Sequence, residues 1–265
     1  RSKFSSTMLE SLEDTGAAAP QACTQIEIVG STGVGALTIA FLAMLVCTIV
    51  MAFKAAQAPV PKRKFFFTNT FIVGVSTLAY FAMLSDQGWT AIAGCRQFFY
   101  ARYVDWIVSN SLIILNLGFV AGVDFVTIAA VMGASVGMTV CAYMGAISVV
   151  PTVKWFWFLF SIALFVPVLF AVAKSFREAA QYTGSTLVTD LYAKISWLII
   201  VAWCFYPIVW LFSEGFASFS VSFEVIAYAI LDIVVKCVFT FIIVGNHEAL
   251  DFIKPGGPVE SREYV

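Results

Sequence analysis

Charge, histidine and paired cysteines are what this sequence has least of. Aspartate, glutamate, lysine and arginine make up 12% of its 265 residues, and the net charge is -1. Neither sign dominates, so nothing in the balance points to nucleic acid or an acidic partner as ligand. A single histidine, His247, is too little for a histidine-based metal site. The six cysteines show no C-x-x-C spacing. No nucleophile–base pair, metal cluster or phosphate loop is visible either, so the chain does not read as an enzyme.

Apolar residues fill the space instead: 61% of the chain is hydrophobic and the mean hydropathy is +0.92. A soluble domain of this length cannot hide that much apolar surface, so the excess faces lipid. A spanning helix needs about 20 mostly apolar residues. Seven segments qualify, at 30–53, 66–85, 98–118, 122–145, 153–174, 185–212 and 218–247. Lipid cannot satisfy backbone polar groups, so each is expected to be helical. The expected fold is therefore all-α, a seven-transmembrane-helix bundle over 30–247. Residues 1–29 form an outer tail without the pattern of a signal peptide, and 248–265 form an inner tail too short for an effector domain.

Segment 86–97, with Asp86, Gln87, Gly88 and Gly94, connects the second and third spans outside the membrane. A very short turn near Gly122 and Asp124 joins the third and fourth on the inner side of the membrane. Cys47, Cys141, Cys204 and Cys237 fall within apolar runs and read as small packing residues. Cys23 and Cys95 lie outside the membrane, where a disulfide between them or between chains is open to either. Basic residues are unequal on the two sides. One side collects Lys54, Lys62, Arg63, Lys64, Lys174, Arg177, Lys194, Lys254 and Arg262; the other has Arg1, Lys3, Arg96 and Lys154. The positive-inside rule then puts the amino terminus outside and the carboxyl terminus in the cytoplasm.

Four ionisable residues stand inside the spans: Arg102, Asp105, Asp232 and Lys236. Each costs about 2.5–3.5 kcal/mol on insertion scales, so such groups usually carry function, although two packing salt bridges are the plainer alternative. Arg102, Asp105 and Ser109 share one face of the third helix, and Asp232 lies one turn from Lys236 on the seventh. A lysine in a dry interior readily loses its proton, as a Schiff-base lysine must. The protonated imine is then a buried cation, and Asp105 and Asp232 can balance it. Around it, Trp106 follows Asp105, while Trp203, Tyr206 and Trp210 recur at i, i+3 and i+7 on the sixth helix, with Pro207 favouring a kink there. An aromatic stripe is usually plain packing. Beside a lysine and two carboxylates it reads as a box for a flat conjugated ligand.

At Arg102-Tyr103-Val104-Asp105-Trp106, Trp203-Cys204-Phe205-Tyr206-Pro207 with Trp210, and Leu231-Asp232-Ile233-Val234-Val235-Lys236 the chain resembles the microbial (type I) rhodopsins, and the match spans nearly all of 30–250. The opening of the fifth helix, Lys154-Trp155-Phe156-Trp157, leans towards eukaryotic pump- and channelrhodopsin-like members. The resemblance implies all-trans retinal on Lys236, counterions Asp105 and Asp232, and a sandwich of Trp106, Trp203, Met138 and Phe165 about the polyene. It also implies that Tyr80 and Tyr206 hydrogen-bond the second carboxylate, and that relatives form dimers or trimers.

Three activities remain. In the family's outward pumps an acid stands eleven residues after the first counterion, where this chain has Asn116. Asn110 and Ser111 replace threonine and proline, and Ser135 replaces an aspartate on the fourth helix. A light-gated channel is placed first on these grounds, with a polar path of Ser109, Asn110, Asn116, Asn69 and Arg102 that favours anions such as chloride. An outward proton pump is second: Arg102, Glu214 and Glu224 match the positions of a proton-release group, a solvated loop pair of glutamates being the alternative. A sensor without transport is third.

Overall fold

Proline, glycine and short polar residues punctuate the apolar runs, and the computed structural model, which describes residues 23–253, makes one helix of each run. In chain order these are α1 (Ser31–Gln57), α2 (Val60–Leu84), α3 (Tyr100–Ala121), α4 (Phe125–Ile147), α5 (Pro151–Tyr182), α6 (Thr186–Gly215) and α7 (Val221–Gly245). All seven are long and apolar enough to cross a bilayer. Pro61 and Pro151 sit in the first turns of α2 and α5, where a missing N–H is no loss. Gly122 closes α3 with φ +72°, a left-handed turn that a side chain resists. Asp124 caps α4, accepting from the Thr127 N–H at 2.9 Å, and the Thr127 side chain together with that backbone bond holds its carboxyl below the usual carboxylate range.

Two helices overrun their expected limits. α2 begins at Val60, not near 66, and α5 continues to Tyr182, not 174. Lys62, Arg63, Lys64, Lys174 and Arg177 end the apolar runs but not the backbone hydrogen bonding, since long basic side chains can reach the interface from a helix that carries on. Residues 1–22 and 254–265, with Arg1, Lys3, Lys254 and Arg262, lie outside the described residues.

Consecutive helices pack side by side, α7 returns against α1 and α6 to close the ring, and α3 also meets α6. The link between α2 and α3 is a hairpin, β1 (Thr90–Ile92) antiparallel to β2 (Arg96–Phe98), with Ile92 opposite Arg96. The approach to α1 lies along it: the Glu27 N–H donates to Cys95 O and the Gln97 N–H to Glu27 O, both at 2.8 Å. Of the two pairings open to Cys23 and Cys95, the structure forms the one within the chain, with Cα atoms 5.4 Å apart. This side is the hairpin face; the turns after α1, α3 and α5 define the far face. Cys47 and Cys237 are buried as expected, but Cys204 is exposed and Cys141 half-buried. A lipid-facing helix is apolar all round, so apolar neighbours in sequence do not distinguish its inner side.

Three wide π turns interrupt the helices. Those at Ala171–Ser175 and Leu211–Gly215 begin four residues after Pro167 and Pro207, and the third, Ile233–Val238, carries Lys236. Turns of this kind gather at functional sites.

Candidate functional site

Lys236 and Asp232 are both 0% exposed, and the helical spacing of four brings their charges together. Lys236 Nζ lies 2.5 Å from Asp105 Oδ2 on α3 and 3.2 Å from Asp232 Oδ1. The carboxylates are not equivalent. Asp232 accepts from Tyr80 OH at 2.7 Å, Tyr206 OH at 2.7 Å and Trp106 Nε1 at 3.1 Å, whereas Asp105 accepts from one protein donor besides the lysine, Ser76 Oγ at 2.8 Å. Ser76 escaped the sequence reading. Its signal was faint: it lies one turn before Tyr80, on the same face of α2.

Trp106 and Tyr206 also form the wall of a cavity lined from α3, α4, α5, α6 and, through Tyr228, α7. Met138, Phe165, Trp203, Pro207 and Trp210 line it too, so the whole box read from the sequence, Lys236 aside, surrounds one space. Phe158 stacks on Trp210 at 4.8 Å between centroids, and the Trp210 Nε1 donates to Ala142 O at 3.2 Å, which fixes the far wall. The lining fits retinal. A buried amine beside two carboxylates suits an aldehyde that becomes a cationic imine, and flat aromatic walls suit a polyene.

On the hairpin side of the amine, charges are paired in depth. Arg102 Nη1 donates to Glu224 Oε1 at 2.7 Å, and its guanidinium lies 4.4 Å from the centroid of the Tyr228 ring. Glu214 Oε1 accepts from Tyr103 OH at 3.1 Å, and Lys154 Nζ donates to the Glu214 carbonyl at 2.7 Å. Both glutamates are buried, so the alternative of a solvated loop pair is set aside. Arg96 corrects the sequence reading as well. Counted there among loop charges, it is 3% exposed and donates from Nη2 to Glu224 Oε2 at 2.8 Å. No helical period points inward from a hairpin, so no local signal marked it.

On the far side the polar residues are scattered. Ser109 Oγ, both amide atoms of Asn116 and Ser135 Oγ are buried without a hydrogen-bond partner among the described residues. Asn69 is engaged elsewhere, its Nδ2 donating to Phe65 O at 3.0 Å and its Oδ1 accepting from Thr240 Oγ1 at 3.2 Å. Asn110 faces the cavity instead. Among the described residues no hydrogen bond joins Ser109, Asn110, Asn116, Asn69 and Arg102 into a single file; buried Ile113, Ile114 and Leu117 intervene along α3.

Comparison with known proteins agrees with this geometry. A family model described as bacteriorhodopsin-like protein matches residues 34–249. Archaerhodopsin-1 of Halorubrum ezzemoulense is 30% identical over 219 residues, 81% of this chain and 84% of that protein. The light-driven proton pump rhodopsin CsR of Coccomyxa subellipsoidea superposes with a TM-score of 0.79 at 27% identity, over 82% of this chain and 98% of that one. Halorhodopsin, a light-driven chloride pump, superposes with a TM-score of 0.76 at 25% identity, over 83% and 98%.

Proposed function

The chain belongs to the bacteriorhodopsin-like protein family, and we propose that it is a light-driven outward proton pump in which Asp105 takes a proton from the nitrogen of Lys236. Members of this family bind retinal as a Schiff base on a lysine. Lys236 is the one buried lysine among the described residues and is where we place the attachment. When bound, retinal supplies a light-driven change of shape that alters the proton affinity and direction of that nitrogen.

The unequal company of the two carboxylates carries the reading. A proton arriving at Asp232 would compete with three protein donors; one arriving at Asp105 meets only Ser76. Hydrogen bonds to a carboxylate favour its charged form, so Asp232 is the standing counterion and Asp105 the acceptor. Arg102, next on the hairpin side, offers a positive charge to whichever carboxylate is ionised. Beyond it Glu224 and Glu214 lead to the hairpin face. On the far side Asn116 has no ionisable proton, so Lys236 regains its proton from water and the cycle is slow. We orient the hairpin face outward, because basic residues gather at the far face and the Cys23–Cys95 disulfide belongs to an oxidising compartment.

A light-gated anion channel is the second reading, favoured by the partnerless side chains of Ser109, Asn116 and Ser135 between α3 and α4. Voltage clamp of cells expressing the chain with retinal separates the two. Photocurrents that stay outward at every voltage are expected. Currents reversing at the chloride equilibrium potential would make it a channel, and none at all would leave a sensor.

A further inference from the structure

Glu224 is divided between two guanidiniums. Arg102 holds Oε1 at 2.7 Å and Arg96 holds Oε2 at 2.8 Å, with all three side chains buried. Arg102 comes from α3, but Arg96 comes from the hairpin, and several bonds fix it there. Its Nη1 donates to Phe219 O at 2.8 Å, and Glu27 Oε2 lies 4.0 Å from the same nitrogen. Its neighbours on either side, Cys95 and Gln97, are hydrogen-bonded to the Glu27 backbone, and Cys95 is joined to Cys23.

Glu214 has different company. Its oxygens accept from Tyr103 OH at 3.1 Å and Tyr228 OH at 3.4 Å, and Lys154 reaches only its backbone carbonyl. The charged groups facing it are Arg102 of α3, Lys154 of α5 and Glu224 of α7, none of them hydrogen-bonded to its carboxyl among the described residues. A proton arriving at Glu224 would leave buried Arg102 without its ion-pair partner and Arg96 with only Glu27 at 4.0 Å, which is strongly unfavourable. A carboxyl among phenols carries a proton without that cost.

We propose that Arg96 is a positioning residue for proton release: it holds Glu224 as a standing anion and leaves Glu214 as the acid whose proton departs. This rests on the outward-transport reading above. The proton leaves a Glu214 oxygen for water at the hairpin face, and the proton accepted by Asp105 later restores it, so one proton leaves per cycle.

The test is flash excitation of the full, retinal-loaded protein with a soluble pH-indicating dye, alongside the visible absorption band. Arg96→Gln is expected to delay release by about tenfold or more, as loss of a buried ionic partner implies. Arg96→Lys should recover much of the early release, and Glu214→Gln should abolish it. The visible band should not move in either Arg96 variant, since among the described residues Arg96 bonds to Glu224 and Phe219 and not to Asp105, Asp232 or Lys236. Wild-type timing in Arg96→Gln, early release persisting in Glu214→Gln, or a shifted band in Arg96→Gln would overturn the proposal. If the wild-type protein released no proton, the transport reading would fall and this inference with it; a competent wild type with indifferent variants would sink the inference alone.

Discussion

The two halves of the bundle treat their polar groups differently, although Arg102 Nε and Ser213 Oγ on the hairpin side also lack a partner among the described residues. Between Lys236 and the hairpin face stand two bonded sets, Arg102–Glu224–Arg96 and Glu214 with Tyr103 and Tyr228, which meet where the Arg102 guanidinium lies 4.4 Å from the centroid of the Tyr228 ring. Between Lys236 and the far face, Ser109, Asn116 and Ser135 stand among buried aliphatic side chains without protein partners. Low dielectric makes a satisfied network rigid and an unsatisfied group costly. On the outward-pump reading proposed above, the first half is where a proton leaves, and the second, closed half has to admit water before a proton can enter. That difference ties a slow step to the far half without any appeal to the hairpin half.

The comparison pivots on Lys236, so the largest effect is expected there: in Lys236→Ala, supplied with retinal, the covalently attached visible band is lost completely. A colour that stayed attached would remove the pivot. Next, Asp105→Asn takes away the proposed proton acceptor beside the amine. Light-driven proton extrusion is expected to fall by about 10²-fold or more, the usual scale of a positioned acid–base group, as read by pH change in an illuminated vesicle suspension. Asn116→Asp sharpens the contrast from the other side. It places an ionisable proton in the closed half, and recovery of the dark absorption after a flash should become about tenfold faster or more. Unchanged recovery would show that proton entry does not pass Asn116.

The smallest effect concerns the far face itself. Asp124→Ala removes the α4 cap at an exposed position and should cost at most about 1 kcal/mol of thermal stability. The sign with pH is fixed, because the hydrogen bond from Thr127 lowers the Asp124 carboxyl in the folded chain. Its contribution is full above the unfolded value, about pH 4, and disappears as pH falls through the lowered folded value. The melting difference between wild type and variant should therefore shrink in acid. A difference that grew would contradict the cap.

Much of this was legible in the chain. Run length marked the seven helices, spacing put Lys236 over Asp232, and seven box residues line one cavity. Their positions follow from helical periodicity, which is local. The rest depended on pairings that periodicity does not encode. Arg96 meets Glu224 across 128 residues of sequence, through a hairpin whose register is set by backbone bonds to Glu27. Ser76 reaches Asp105 only because α2 and α3 pack at one rotation. The ends of α2 and α5 were misjudged because basic residues stop hydropathy before they stop a helix.

The π turn at Ile233–Val238 has a mechanical meaning. A regular helix behaves like a stiff rod, and a twist applied at one residue is felt along its length. A turn holding an extra residue is a short elastic coupling instead. A change of shape at Lys236 falls on those six residues, which already lie outside the regular α-helical ladder, while α7 packs on α1 before them and on α6 and α2 after them.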